Sequence, residues 1–323
     1  MSTSHEKPHI VYVDANASSL TQFRSLGLLE RLGSIGVLTV HNGTPESAAD
    51  YVSMVGSAQV VIVGGTLPDE VLSSAPRLAL VAYVGQGASN FINLRLAQDR
   101  GIHVANTPEY GNSAVAEHVI ALLFSVARRT PQGDRHVRAG LWRPFPSGME
   151  ISGKTAGLIG YGGIGSHVAK LLGALGMKVL AWNRTPVIDE DSNVEFSSLP
   201  EIFERSDMVS LHLALNEQTH GFITGELLDR LRPGAMVINT ARSELIEKFA
   251  LEDRLEKGLL SAGLDVFGQE PPERNDRLLS LENVVLTPHQ GYNTPQAFSA
   301  MATMVVENIE NFLQGKDFHR TSL

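Results

Sequence analysis

The chain of 323 residues contains no cysteine. Disulfides, thiolate metal centres and cysteine nucleophiles are excluded at once. It also lacks an uninterrupted apolar run of the roughly 18 residues that a membrane-spanning helix requires. The nearest candidate, VAEHVIALLFSVA from Val115 to Ala127, carries Glu117 and His118 and reads as a buried helix of a soluble protein. The opening stretch, MSTSHEKP, has no apolar core of the kind a signal peptide carries. It reads as a short polar tail, and the expected compartment is the cytoplasm. Positive charge is in deficit, with 26 Lys and Arg against 35 Asp and Glu, a formal charge of -9. Nucleic acid binding needs a broad basic face, so neither nucleic acid nor membrane is expected as a partner; a local cationic pocket remains compatible with the total. No short repeat or low-complexity tract is present, and no metal site is expected.

What the chain has is length enough for two cores and a composition, 43% apolar and 19% charged, that is ordinary for a globular protein. Short β-branched runs alternate with helical stretches. In the first third, HIVYVD (9–14), IGVLTV (35–40), AQVVIVGG (58–65), LALVAYVG (78–85) and IHVANT (102–107) read as buried strands. A second series follows: TAGLIG (155–160), KVLAWN (178–183), MVSLHLAL (208–215), AMVINTA (235–241), SAGLDVF (261–267) and NVVLTPH (283–289). Continuous apolar strands spaced by helices imply parallel sheets covered on both faces. A long helix, about Ser113 to Arg129, and a Pro/Gly-rich arm, TPQGDRHVRAGLWRPFPSG, separate the series. The last stretch, PQAFSAMATMVVENIENFLQGK, is an amphipathic helix with no strand after it and is expected to return to the first domain. The fold class is therefore α/β with two doubly wound domains. A flavodoxin-like domain (1–107 and 291–323) is expected to be interrupted by a Rossmann-type domain (108–290).

Gly160, Gly162 and Gly165 form G-x-G-x-x-G in GYGGIG, with Gly163 and Ile164 inside it. Alone this pattern is weak. Here it follows a buried strand, opens a helix and lies in a β-α-β unit of about 30 residues. The glycines serve a tight turn, close approach to a pyrophosphate and close helix–strand packing, and the helix N-terminus offers N–H groups to the anion. In an NAD site the next strand usually ends in an acid that holds the ribose. The strand KVLAWNRT instead ends in Asn183, Arg184 and Thr185, with Asn183 placed 23 positions after Gly160, near the usual spacing of about 20. A carboxylate there would repel a 2′-phosphate. Its absence, with Arg184 beside it and help from Thr185 or the Asn183 amide, predicts NADP as the preferred cofactor, with NAD also usable.

Three charged residues follow strands: Arg242 after VINTA, Glu270 after AGLDVFGQ, and His289 at the end of VVLTPH. Singly, each is an ordinary loop residue. Together they suit hydride transfer to a ketone. A His can deliver the proton to the new alkoxide, a carboxylate can fix its tautomer, and an Arg can grip the substrate carboxylate with paired N–H donors.

The segments VAEHVIALLFSVARR, GLIGYGGIG, DMVSLHLALNEQTHGFI, MVINTARSELIE, AGLDVFGQEPP and LTPHQGYNT make the chain closely similar to the D-isomer-specific 2-hydroxyacid dehydrogenases over nearly its whole length. The resemblance implies Arg242, Glu270 and His289 as the catalytic residues. It implies that Thr240, Ala241 and Asp265 contact the nicotinamide half of the cofactor, and that Gln86 and Gly87, in YVGQGASNFI, hold the substrate with Arg242 and His289. Glyoxylate and hydroxypyruvate are the implied kind of substrate. It further implies a homodimer, with the helix 113–129, apolar around most of its circumference, and the arm bearing Trp142 and Phe145 at the interface. Three positions depart from the family pattern: Ala214 for Pro, Ser243 for Gly, and Ser89 for Asp in the substrate loop. The last leaves substrate identity open. Two alternatives stand beside this reading: a dinucleotide-sensing protein like the C-terminal-binding corepressors, and oxidation of an anion such as phosphite on the same scaffold.

Overall fold

The computed structural model describes residues 7–185 and 193–321. Most of the polar opening stretch, residues 1–6, lies outside them. The chain divides into two compact units, Met1–Tyr110 with Thr294–Leu323, and Gly111–Asn293.

The first unit begins with β1 (His9–Ala15), α1 (Ala17–Ser25), α2 (Leu28–Ile35), β2 (Val37–Asn42) and α3 (Ala48–Val55). It continues through β3 (Val60–Val63), α4 (Asp69–Ser74), β4 (Leu80–Tyr83), α5 (Leu94–Asp99) and β5 (His103–Ala105). The strands are parallel in the order β2-β1-β3-β4-β5, the flavodoxin-like winding. Successive side chains on a strand point to opposite faces, and here both faces are covered. Val11, Val13, Val61, Val63 and Val81 enter one core, while Ile10, Tyr12, Val60, Ile62 and Leu80 enter the other. That is why the strands read as unbroken apolar runs. Helix α1 starts at the end of β1 because Asn16 and Ser19 cap it reciprocally, Asn16 Oδ1 accepting from Ser19 N at 2.9 Å and Ser19 Oγ from Asn16 N at 3.0 Å.

The second unit opens with α6 (Asn112–Arg128) and α7 (Thr130–Arg138), followed by β6 (Thr155–Ile159), α8 (Gly163–Ala174), β7 (Lys178–Trp182) and β8 (Val194–Phe196). Then come α9 (Leu199–Arg205), β9 (Met208–Leu211), α10 (Gly225–Leu228), β10 (Met236–Asn239), α11 (Ala250–Glu256), β11 (Ser261–Leu264) and β12 (Val284–Leu286). The parallel sheet runs β12-β11-β10-β9-β6-β7-β8. Counted from β6, this is the 3-2-1-4-5-6 Rossmann order with one further strand. The order reverses between β6 and β9, which is where such sheets bind dinucleotides. Buried side chains such as Leu158, Leu172, Ile238, Phe203 and Leu211 hold helices to both faces, each worth about 1.5–3 kcal/mol of burial. Truncating one, as in Leu158→Ala, costs about 2–5 kcal/mol.

The final helix, α12 (Pro295–Leu313), belongs to the first unit, where Val305, Val306 and Ile309 complete the second core. No helix among the described residues is long and apolar enough to cross a membrane.

Two elements differ from the sequence reading. Residues 130–138, which the Pro/Gly content marks as arm, form the helix α7; Pro131 lies in its first turn, where its missing N–H costs no hydrogen bond. The strand β8 was not foreseen, because its three residues form an edge with little burial and carry no apolar run.

Candidate active site

The carboxyl edge of the second sheet lines up the functional candidates in the order of its strands. Beyond β6 the glycine loop turns tightly. Gly160 has φ 105°, and a Cβ on it would lie 2.5 Å from the His212 carbonyl oxygen. A Cβ on Gly163 would strike the Asn112 amide, and one on Gly165 the carbonyl of Gly160. These three glycines are demanded by the fold itself. Gly162 is different: a Cβ there would meet nothing within 4 Å. It is also the N-cap of α8, and no side chain caps that helix, so the N–H groups at Gly163, Ile164 and Gly165 keep the positive end of its dipole uncapped.

Beyond β7, Asn183 ties the strand end to the loop. Its Oδ1 accepts from Tyr161 N at 3.2 Å, and its Nδ2 donates to the Thr185 carbonyl at 3.0 Å. Arg184 is exposed and donates through one guanidinium nitrogen to Gln218 Oε1 at 2.9 Å. Beyond β9, His212 Nε2 is sealed from solvent without a partner, and burial pushes the imidazole pKa down to about 4, so the ring is neutral. Beyond β10, Thr240 Oγ1 is likewise buried and unpartnered. Buried polar atoms without partners are uncommon. Two at one sheet edge, together with the open Gly162 and an uncapped helix N-terminus, fit a bound dinucleotide.

The turn after β10 is shaped by the buried Asn239, whose Oδ1 accepts from Ala241 N at 3.0 Å and whose Nδ2 donates to the Arg242 carbonyl at 2.9 Å. Arg242 donates to the Ala241 carbonyl at 2.6 Å and forms no ion pair among the described residues. Its remaining donors suit an anion. Asp265, beyond β11, is buried and accepts from Thr287 Oγ1 at 2.5 Å, Gln290 N at 2.9 Å and Gly291 N at 2.8 Å. Burial pushes its carboxyl up, but hydrogen bonds from His118, Thr287 and the two N–H groups outweigh that and hold it below the usual carboxylate value. The carboxylate expected as a cofactor contact therefore also ties the loop after β12 to the end of β11.

Glu270 and His289 meet directly. His289 Nδ1 lies 2.7 Å from Glu270 Oε2, with side chains 35% and 38% exposed, and Glu270 Oε1 accepts from Phe267 N at 3.1 Å. An ionised carboxylate can only accept, so Nδ1 carries the hydrogen of this pair. Arg242, Glu270 and His289 follow β10, β11 and β12, three neighbouring strands. His118 and Thr287 were given no role by the sequence reading. The only signal for His118 was a polar residue set among apolar ones in α6.

In the first unit, Gln86 and Gly87 follow β4. The Gln86 carbonyl accepts from Asn106 Nδ2 at 2.7 Å, and Gly87 opens a single 3₁₀ turn, Ala88–Asn90. The N–H groups of Gln86 and Gly87 meet no acceptor among the described residues. Asp14, in β1, accepts from Gly64 N at 2.9 Å and Gly65 N at 2.7 Å, yet burial outweighs these bonds and raises its carboxyl above the usual value.

Comparison with known proteins accords with this geometry. Residues 120–291 match the family model for the D-isomer specific 2-hydroxyacid dehydrogenase, NAD binding domain. A glyoxylate reductase of Korarchaeum cryptofilum is 38% identical over 267 residues, 80% of each chain. A hydroxypyruvate reductase of Blautia hydrogenotrophica is 32% identical over 296 residues, covering 88% of this chain and 91% of that one. The crystal structure of an NADPH-dependent glyoxylate/hydroxypyruvate reductase from Sinorhizobium meliloti, in complex with NADP and malonate, superposes with a TM-score of 0.85 at 28% identity over 98% of this chain and 97% of that one. The comparisons give no support to a corepressor-like sensor or a phosphite-type dehydrogenase.

Proposed function

The chain belongs to the D-isomer specific 2-hydroxyacid dehydrogenase family and is an NAD(P)-dependent oxidoreductase, and we propose that it reduces a small 2-ketoacid of the glyoxylate or hydroxypyruvate kind, with NADPH as preferred reductant. The observation that carries this reading is the His289–Glu270 hydrogen bond, with Arg242, which forms no ion pair among the described residues, on a neighbouring strand end. A bound nicotinamide supplies the hydride. Glu270 holds the Nδ1–H of His289, and the imidazolium form gives its Nε2 proton to the alkoxide oxygen as the carbonyl is reduced, leaving the neutral Nδ1–H tautomer. Arg242 holds the substrate carboxylate with paired donors. The N–H groups of Gln86 and Gly87 give the first unit its own carboxylate contact, making it the substrate-binding unit. Gly160, Gly162, Gly163, Ile164 and Gly165 cradle the pyrophosphate.

Charge bears on the substrate's other end. The segments that follow the strands of the first unit are acid-rich: Glu46 and Glu109 lie in connections, Asp69 and Glu70 in the first turn of α4, and Asp14 in β1, against Arg95 in the first turn of α5. A ketoacid with an uncharged tail suits such an edge; one with a phosphate or second carboxylate meets repulsion. Purified protein assayed with glyoxylate, hydroxypyruvate and 3-phosphohydroxypyruvate should favour the first two. No turnover of any 2-ketoacid with either cofactor would overturn the reading.

Arg184, together with the lack of an acid at position 183, supports the NADP preference. Charge-assisted hydrogen bonds to a 2′-phosphate are worth about 1.5–3 kcal/mol, or about a 10- to 150-fold preference. Arg184→Ala should erase most of it through KM for NADPH; equal use of both cofactors by the unmodified protein would refute it. The arm supports a homodimer: Trp142 is 76% exposed, Leu141 and Val137 are also exposed, and an open hollow of about 770 Å³ lies beside His136, Trp142 and Phe145. Apolar surface of this kind is what subunit contacts cover. Light scattering that found a monomer at micromolar concentration would count against it.

A further inference from the structure

His118 lies within α6 with its side chain largely buried, 15% exposed, and has no part in the proposed reaction. Its Nε2 is 2.9 Å from Thr287 Oγ1 and 3.3 Å from Asp265 Oδ1. The hydrogen positions follow from chemistry. An ionised carboxylate only accepts, so Thr287 commits its hydroxyl hydrogen to Asp265 and keeps its lone pairs for the His118 Nε2–H. His118, Thr287 and Asp265 thus form a directed chain of hydrogen bonds that begins on a helix and ends on a buried anion.

That anion grips the segment bearing the proton donor from both sides. Thr287 precedes His289, and the N–H groups of Gln290 and Gly291 follow it; all three bond to Asp265. The backbone bends sharply within this bracket. His289 has φ 48°, the left-handed region that non-glycine residues avoid. It is held there by its neighbours, since its own N–H reaches only the Thr287 carbonyl at 3.0 Å. The packing is close on the helix side as well: a Cβ on Gly291 would lie 3.1 Å from Asp265 Oδ2 and 3.4 Å from His118 Cδ2.

We infer that His118 is a positioning residue for proton transfer: through Thr287 and Asp265 it holds the segment 287–291 in its strained turn and so aims His289. The inference rests on His289 being the proton donor. Glu270 fixes the imidazole at one nitrogen, whereas the backbone beneath the ring is fixed by the His118 chain. A ring displaced by about 1 Å can cost on the order of 10²-fold in rate.

The test uses the full-length protein. His118→Leu removes the donor, and His118→Gln retains an N–H at about the position of Nε2. His118→Leu should lower kcat by about 10- to 100-fold. NADPH binding, read by nicotinamide fluorescence, should change by less than about twofold, and the deuterium isotope effect from 4-deuterated NADPH should rise, because the chemical step has become slow. His118→Gln should recover most of the rate. The deciding measurement is a double-mutant cycle: in a His289→Ala background, His118→Leu should add less than about twofold, because residues acting through one another are not additive. Equal losses in both backgrounds, or an unchanged isotope effect with only a lowered melting temperature, would overturn the inference. If His118→Leu does not fold, Thr287→Val interrupts the same chain and is read in the same way. Failure of the underlying reading looks different: His289→Ala itself would then keep full turnover.

Discussion

Asp14 and Asp265 stand at the ligand edges of two different sheets, and their surroundings drive them in opposite directions. Asp14 is met by backbone N–H groups alone, from Gly64 and Gly65, and burial prevails, so its carboxyl sits above the usual value. Asp265 is met by backbone N–H groups and also by the Thr287 hydroxyl and the His118 ring, and it sits below. The contrast extends to the two edges as wholes. The first unit builds its edge from glycine-rich backbone, Gly64–Gly65 and Gly85–Gln86–Gly87. The second adds side chains with distinct proton roles: Arg242, Glu270, His289 and the His118 chain. Backbone donors can hold an anion but cannot transfer a proton, so in the proposed reaction the first edge binds and the second reacts.

The sharpest way to break this contrast is to remove the proton donor. His289→Ala should lower kcat by about 10²–10⁴-fold, the span of general acid catalysis. Gln86→Ala should change kcat/KM by less than about threefold, because what the first edge is proposed to supply at that position is a main-chain N–H that alanine retains, and such substitutions usually stay within about 0.5 kcal/mol. Steady-state kinetics of both variants decide it; a Gln86→Ala loss as large as that of His289→Ala would erase the distinction.

A smaller effect is expected at Arg242. Lysine keeps the charge and loses the paired donors, so Arg242→Lys should lower kcat/KM by about 10- to 150-fold, the worth of one charge-assisted hydrogen bond. Near-full activity of this variant would place the carboxylate grip elsewhere.

The smallest effect is thermodynamic, and its sign differs between the units. Asp265 has a lowered folded-state pKa, so its contribution to stability is present above the unfolded value and is lost as pH falls through the folded one. Relative to the unmodified protein, Asp265→Asn should therefore become less stable as pH rises through the window just below the unfolded value. Asp14 has a raised folded-state pKa, so its contribution is complete below the unfolded value and is lost as pH rises through the folded one. Asp14→Asn should accordingly gain on the unmodified protein as pH rises through the window just above the unfolded value. Urea midpoints across the acid range measure both; slopes of the same sign would end the comparison between the two carboxylates.

How far the sequence reached depended on the range of the information. Buried parallel strands betray themselves by runs of β-branched residues, because helices on both faces leave no solvent side for polar residues to occupy. The strands carrying the cores were legible for that reason, and the short, exposed β8 was not. The glycine loop was legible because its spacing, after a buried strand and before a helix, is a local pattern, although Gly160 and Gly163 are required by His212 and Asn112, far away along the chain. The helix α7 was misread as arm because Pro131 and Gly133 look like breakers until the helix start is known. Arg242, Glu270 and His289 came from strand-end position and family resemblance. The sequence did not reveal that Asp265 is bonded chiefly to Thr287 and to the loop that follows.

By itself the sequence determined the buried strands and the helices between them, β8 and α7 apart, where the phosphate loop turns, and which side chains close the strands, since dihedral preference and burial pattern act over a few residues. Only the tertiary structure decided who meets whom. Glu270 reaches His289 across 19 positions, and His118 reaches Thr287 across 169. Those pairings depend on which strands lie side by side in the sheet and on which helix crosses their ends. The order β12-β11-β10 puts Thr287, Asp265 and Arg242 on adjacent strand ends, and the packing of α6 brings His118 to them. Hydrogen bonds act over about 3 Å of space whatever the distance along the chain, so the partners of a side chain are settled by the fold.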